Sequence, residues 1–175
     1  MLVPVSPEDI RGDRKTLNEH DFAAKYLGEI PSWASAVLRQ MPDRREMGYA
    51  DGGTKVVGLD RVVGTDNPKY AGSTWLYVFQ NLSRTDTLAR ALQNLDSLQT
   101  HLLKEPTDVV LAEVGGEYFI AGEGNHRCVV GRMMGLRTVR AQIVHYSPRK
   151  TATPAEPSSR PTLWQRLFGS AQSGT

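Results

Sequence analysis

The run Ala121-Gly122-Glu123-Gly124-Asn125-His126-Arg127 brings a carboxylate, an amide, an imidazole and a guanidinium together around two glycines. Glycine allows positive φ and a close approach of backbone to ligand. An apolar run with strand character, Glu117-Tyr118-Phe119-Ile120, precedes the stretch. Cys128-Val129-Val130-Gly131-Arg132-Met133-Met134 follows it and ends at Gly135. The pattern predicts a strand, a glycine-rich turn at Gly122 and Gly124, and a short helix. A helix N-terminus presents unpaired N–H groups and a partial positive charge, which suits phosphate. The backbone N–H groups of Gly124 and Asn125 would cradle an anion there. Arg127 would add a planar fork matched to phosphate oxygens. His126, with an ordinary pKa of roughly 6.5, could donate to a phosphoryl oxygen or move a proton. The plain alternative is a structural strand-to-helix turn with a helix-capping histidine. Four polar side chains crowded at one turn favour function, because loops on rigid frames commonly carry it.

Other chemistry-bearing residues are scattered. Glu123 could hold a metal or orient water, or simply sit near a positive helix end. Glu113 lies one strand earlier and is a second carboxylate candidate if its strand turns it toward the loop. Cys128, the single cysteine, falls on an apolar run and reads as buried packing. His20, His101 and His145 lack partner spacing and read as surface or satisfied histidines. Arg132, Arg137 and Arg140, with Arg127, could form a basic face or a solvated surface.

The elements around the turn follow from pattern. Residues 1–15 are polar and proline-punctuated, which suggests an extended arm. Asn18 caps an expected helix through Phe22 and Leu27. Pro31-Ser32 opens a second helix through Met41, closed by Pro42. Asp43 to Gly53 reads as loop, and Thr54 to Leu59 as strand. Asp60 to Thr65 leads into the turn-rich Asp66-Asn67-Pro68, and Trp75 to Phe79 reads as strand. Ser83 and Asp86 have capping-box spacing. Leu88, Leu92, Leu95, Leu98 and Leu102 then recur at the period of an amphipathic helix. Asp108 to Val114, the Gly115-Gly116 turn and Glu117 to Ala121 form a hairpin. Thr138 to Val144 closes as a strand.

These elements predict an α/β (α+β) fold: a small mixed sheet with helices, an N-terminal helical addition at 1–53, a main domain at 54–145 and a flexible tail at 146–175. The tail holds one apolar cluster, Leu163-Trp164-Gln165-Arg166-Leu167-Phe168, and Trp164–Phe168 could dock into a protein partner. A chain of 175 residues with 39% hydrophobic content can build one core. Net charge of +2 makes no bulk case for nucleic acid. One cysteine excludes an intrachain disulfide and a cysteine-based zinc cluster. No apolar run approaches the roughly 20 residues of a membrane span. The start shows no basic-then-apolar leader. A soluble cytoplasmic protein is expected.

From Leu88 to Val144 the order of features resembles the ParB/sulfiredoxin-like fold: helix, strand, Gly115-Gly116 turn, second strand, the Gly124-Asn125-His126-Arg127 box, short helix, Gly135 and closing strand. Leu59-Asp60-Arg61-Val62-Val63 resembles the opening of the same domain, so the resemblance covers roughly residues 54–145. It implies binding of a nucleoside triphosphate (ATP or CTP), with Mg²⁺- or Mn²⁺-assisted hydrolysis or phosphoryl transfer. It also implies that Arg61, Gly64 and Thr65 lie over the phosphates, where Glu123 could hold the metal. Lys69 and Tyr70 would cover a base or ribose. Members of the family include DNA-binding and nuclease-like proteins, so DNA is an alternative partner, and a non-enzymatic interaction protein acting through its tail is a third reading. Sulfiredoxin-type reductases carry a reactive cysteine directly before the His-Arg pair. Here that residue is Asn125, which removes thiol chemistry. Partition-type proteins carry Glu-Arg-Arg in the box and a helix-turn-helix domain after it, and neither pattern is present.

Overall fold

The structure, a computed structural model, describes residues 5–148, so the apolar cluster 163–168 lies outside the described residues. The chain is a mixed α/β fold. Six strands form one mixed sheet, and six α-helices accompany it among the described residues. The helices are α1 (Pro7–Thr16), α2 (Glu19–Leu27), α3 (Trp75–Asn81), α4 (Thr85–Gln93), α5 (Leu95–Leu103) and α6 (Asn125–Met133). The strands are β1 (Arg39–Gln40), β2 (Met47–Gly58), β3 (Val62–Thr65), β4 (Val110–Val114), β5 (Glu117–Ile120) and β6 (Thr138–Pro148). Their order across the sheet is β1-β3-β5-β4-β6-β2. β3 runs parallel to β5, and β4 parallel to β6, while the β4–β5 hairpin and the β2–β6 ribbon are antiparallel.

Strand alternation separates two apolar faces. Val62, Leu111, Tyr118, Ile120, Val139, Ala141 and Ile143 point into the main core with the helices. Met41, Ala112, Phe119 and Ala121 form a smaller cluster, packed against Val63, Val110, Val114 and Tyr146. The β4–β5 hairpin, the turn at Gly115-Gly116 and the strand–turn–helix passage into α6 match the sequence reading. α2 does too, with the Asn18 side chain accepting from the Asp21 N–H at 2.9 Å.

Several expectations are overturned. The expected N-terminal arm is helical from Pro7 onward. Ser6 and Asp9 close a reciprocal capping box, with Asp9 N–H donating to Ser6 Oγ at 3.1 Å and Ser6 N–H to Asp9 Oδ2 at 3.0 Å. The helix expected over Pro31–Met41 shrinks to a 3₁₀ turn at Ser32–Ser35. The chain then extends, because backbone bonds from Leu38 to Ser73 and Gly72 draw it onto the sheet edge. Asp43–Gly53 is not a loop throughout, since β2 starts at Met47. The Asp51-Gly52-Gly53 signal is absorbed by a bulge in which Asp51 Oδ1 accepts from Gly53 N–H at 2.8 Å. The expected domain boundary between residues 53 and 54 therefore falls inside a strand.

Trp75–Phe79 is helix, not strand. Thr74 Oγ1 caps it by accepting from Tyr77 N–H at 3.1 Å. Trp75, Leu76, Val78, Phe79 and Gln80 are all buried, so the segment lacks the polar face that would reveal a helical period. The single leucine helix breaks at Asn94 into α4 and α5. Asn94 leaves helical geometry (φ −150°, ψ 89°), and its side chain caps α5 by accepting from Ser97 N–H at 2.9 Å. β6 extends past Val144 to Pro148 against the start of β2.

Candidate functional site

The Gly122–Arg127 turn is held by polar bonds, of which the one between Thr65 and Asn125 is buried. Thr65, at the end of β3, donates its hydroxyl to Asn125 Oδ1 at 2.8 Å. Asn125 Nδ2 donates in turn to the Gly122 carbonyl at 3.1 Å. Asp66 Oδ1 accepts the Gly122 N–H at 3.0 Å. Thr65 and Asn125 are both buried, at 0% and 3% exposure, so these side chains shape the turn and do not face solvent. Gly124 adopts φ 118°, and a Cβ there would meet Val109 Cγ1 at 3.1 Å. The positive φ favours glycine at this position, and a Cβ would also sit tightly against the Val109 side chain.

Above the turn lies a pocket of about 600 Å³. Arg84, Arg90, Lys104 and Arg127 bring guanidinium and ammonium groups to its lining, against the carboxylates of Asp108 and Glu123. His101, His126 and Gly124 also line it, with Ala91 and Leu98 as apolar wall. The structure thus gathers Glu123, Gly124, His126 and Arg127 from the sequence-predicted set. Gly122 and Asn125 sit just beneath. Arg61 and Gly64 stand outside the lining: the Arg61 guanidinium lies 4.8 Å from the Tyr118 ring centroid. Gly64 is buried in the sheet, where a Cβ would strike the Arg39 carbonyl oxygen and the Phe119 ring. Thr65 reaches the site through Asn125 alone. Tyr70 is buried and meets His126 edge-on at 6.4 Å, so it supports the imidazole and does not stand open for a base.

Charge pairing tunes the pocket. Arg127 bonds Asp108 Oδ1, and Lys104 Nζ lies 3.5 Å from Asp108 Oδ2. The Arg127 hydrogen bond holds the Asp108 carboxyl at about 2. Burial, with Lys104 and Arg127 adding to it, pushes His101 down, and its Nε2 lies 3.5 Å from Arg127. Burial also pushes His126 down, helped by Arg84 and opposed by Glu123. His126 Nε2 accepts the Arg84 backbone N–H at 3.2 Å and meets Ser83 Oγ at 2.9 Å. A backbone N–H can only donate, so Nε2 carries the lone pair and the Ser83 hydroxyl donates to it. This bond also ties the starts of α4 and α6 together. Neither N-cap, Arg84 or Gly124, makes a side-chain capping bond.

Sequence reasoning missed most of this lining. Arg84, Thr87, Arg90, Asn94, Ser97, His101 and Lys104 recur at spacings of three and four, the polar counterpart of the leucine pattern. His101, expected to be an isolated surface histidine, lines the pocket. The expected capping box at Ser83–Asp86 does not form, and Ser83 turns to His126. Glu113 pairs with His145 at 2.9 Å and not with the turn. Arg132 is no part of an open basic face. It lies between Trp33 and Trp75, 4.2 and 4.4 Å from their ring centroids, and donates to the Val62 carbonyl at 2.8 Å. Arg140 donates to the Leu103 carbonyl at 3.0 Å. Cys128 is buried as expected, with burial pushing its thiol up to about 12.

Fold and site together define a mixed α/β protein with a cation-lined pocket at two helix N-termini. Comparison with protein-family models, with curated proteins and with solved structures returns no match. Among the described residues, no helix is long and apolar enough to cross a membrane.

Proposed function

We propose that the pocket binds a nucleoside triphosphate, ATP or CTP, by its phosphates and supports hydrolysis or transfer of the terminal phosphoryl group. One observation carries the reading: four cationic side chains and two helix N-termini without side-chain caps converge on a single concavity. Helix N-termini and guanidinium forks both favour multiply charged phosphate oxygens. Ala91 and Leu98 offer apolar wall for a base or ribose. A bounded pocket suits a small phosphorylated ligand better than a DNA duplex. The ParB/sulfiredoxin-like resemblance of residues 54–145 points the same way.

A divalent cation fits one residue of the lining. Asp108 is engaged by Arg127 and Lys104, which leaves Glu123 as the carboxylate for Mg²⁺ or Mn²⁺. Among the described residues no three His, Cys, Asp or Glu side chains are grouped to hold a metal. Mg²⁺ is commonly held by one or two carboxylates plus substrate phosphates, and Glu123 would supply the protein's share. Such an ion would neutralise charge on the reacting phosphoryl group.

Calorimetric titration of the full chain with ATP and with CTP, each with Mg²⁺, tests the proposal. Saturable binding of one of them is expected. Arg127→Ala should weaken it about tenfold to a hundredfold, since a hydrogen bond to a charged group contributes about 1.5–3 kcal/mol. Circular dichroism of the variant should match the parent. No binding of either nucleotide would sink the reading.

A further inference from the structure

Ser83 is exposed just before α4 and adjoins the pocket, whose lining includes its neighbours Arg84 and His126 but not Ser83 itself. Arg84 follows it in the chain, and His126 meets its hydroxyl at 2.9 Å. That distance is within the reach of a nucleophile–base pair. The Arg84 backbone N–H requires Nε2 to be unprotonated, so the Ser83 hydroxyl and this N–H share its lone pair and the imidazole faces the hydroxyl as an acceptor. Tyr70 packs edge-on against the ring and restrains it. Arg84 and Gly124, the N-caps of α4 and α6, both line the pocket, and helix N-termini and a guanidinium can stabilise charge on a transferring phosphoryl group.

We infer that Ser83 is a phosphoryl acceptor, with His126 as its general base, and that the chain forms a phosphoserine from the nucleotide held in the pocket. The inference rests on nucleotide binding as proposed above. In the step, Ser83 Oγ attacks the γ-phosphorus and the Oγ–P bond forms. The bond from that phosphorus to the β–γ bridging oxygen breaks, and its electron pair leaves on the nucleoside diphosphate. The hydroxyl proton passes to the single lone pair of His126 Nε2, which releases the Arg84 N–H as it is protonated, and then goes to solvent. Burial keeps the imidazole neutral, as a base must be, at neutral pH. Basic surroundings favour a phosphoanhydride over a neutral ester as the group attacked.

The test incubates the full chain with γ-labelled ATP or CTP and Mg²⁺, with acid quenching at times shorter than one turnover. Mass spectrometry of intact protein and peptides locates the label, and calorimetry runs alongside. One phosphoryl group on Ser83 is expected. Ser83→Ala should carry no label while its titration with nucleotide still saturates. Glutamine can accept the Arg84 N–H but cannot take a proton. His126→Gln should therefore keep the fold and label about 10²- to 10⁴-fold more slowly, the usual contribution of a general base. Saturable binding with no label on Ser83 overturns the inference and leaves nucleotide binding standing. Labelling of His126→Gln at the parental rate overturns the base assignment. Absence of binding in calorimetry removes both proposals together.

Discussion

Asn125 shows how burial changes what a residue does. In the sequence it is one of four polar groups at a turn. In the structure its amide is spent on Thr65 and Gly122, which leaves His126 and Arg127 to face the pocket. Nothing in residue type distinguishes an amide pointing down from one pointing out, because β3 and the turn are brought together by chain 60 residues apart. His126 carries a pH signature. Burial and the nearby Arg84, Lys69 and Arg14 depress its folded pKa below the ordinary 6.5, against the opposing charge of Glu123. The unfolded chain then binds more protons than the native one in that window. Stability is complete above about pH 6.5 and falls as pH drops through the depressed value. His101 acts in the same direction. Asp108, held at about 2 against its usual 3.8, adds a loss at lower pH, well separated from the histidine window. Urea midpoints at about pH 7.5 and about pH 5.5 should show the first decline, given the histidine reference pKa. His126→Gln should flatten it, leaving the part due to His101. An undiminished slope in that variant would show that His126 is not its source.

The pocket exists because one leucine-patterned stretch forms two helices. Leu88, Leu98 and Leu102 are buried as the period requires, but Leu95 is 36% exposed. The break at Asn94 sits between them, and both Asn94 and Ser97 line the pocket. Asn94 is a strong N-cap residue, yet a cap inside an unbroken leucine period is outweighed when only the sequence is read. Asn94→Ala should cost about 1 kcal/mol through the lost bond to Ser97, measured as a lower urea midpoint. Nucleotide affinity should fall with it, because α4 and α5 would lose their fixed angle. An unchanged midpoint would show that the break is set by packing alone. The same competition explains the two Ser-x-x-Asp boxes. At Ser6–Asp9 the box closes, aided by Pro7 in the first turn. At Ser83–Asp86 it does not, because His126 offers Ser83 a tertiary partner.

Among the described residues, the N-terminal helices share one core with the sheet and the later helices. Ile10, Phe22 and Ala23 are fully buried in the same core as Phe79, Leu88 and Val130. α2 lies against α3, where Phe22 meets the Phe79 ring edge-on at 5.9 Å. The Gln80 side chain donates to the Leu17 carbonyl at 2.8 Å, tying the two segments further. Arg132 adds a second seam by joining Trp33, Trp75 and β3 to α6. Removal of residues 1–30 should therefore abolish the cooperative thermal transition, followed by circular dichroism, because it exposes Phe79 and Leu88 to water. A truncated chain that melts cooperatively near the parental temperature would restore the view of a self-sufficient 54–145 domain.

Local pattern was enough to determine the β4–β5 hairpin, the strand–turn–helix at Gly122–Arg127, the burial of Cys128 and the mixed α/β class. Each depends on neighbours within a few residues: turn glycines, alternating apolar positions and a short apolar helix. Tertiary structure decided the rest. It turned the all-apolar Trp75–Phe79 into a helix and split the leucine helix at Asn94. It placed Arg84, Arg90, His101 and Lys104 opposite Arg127, and Ser83 against His126. Those pairings join segments far apart in the chain, and their geometry follows from how α4, α5 and α6 pack on the sheet.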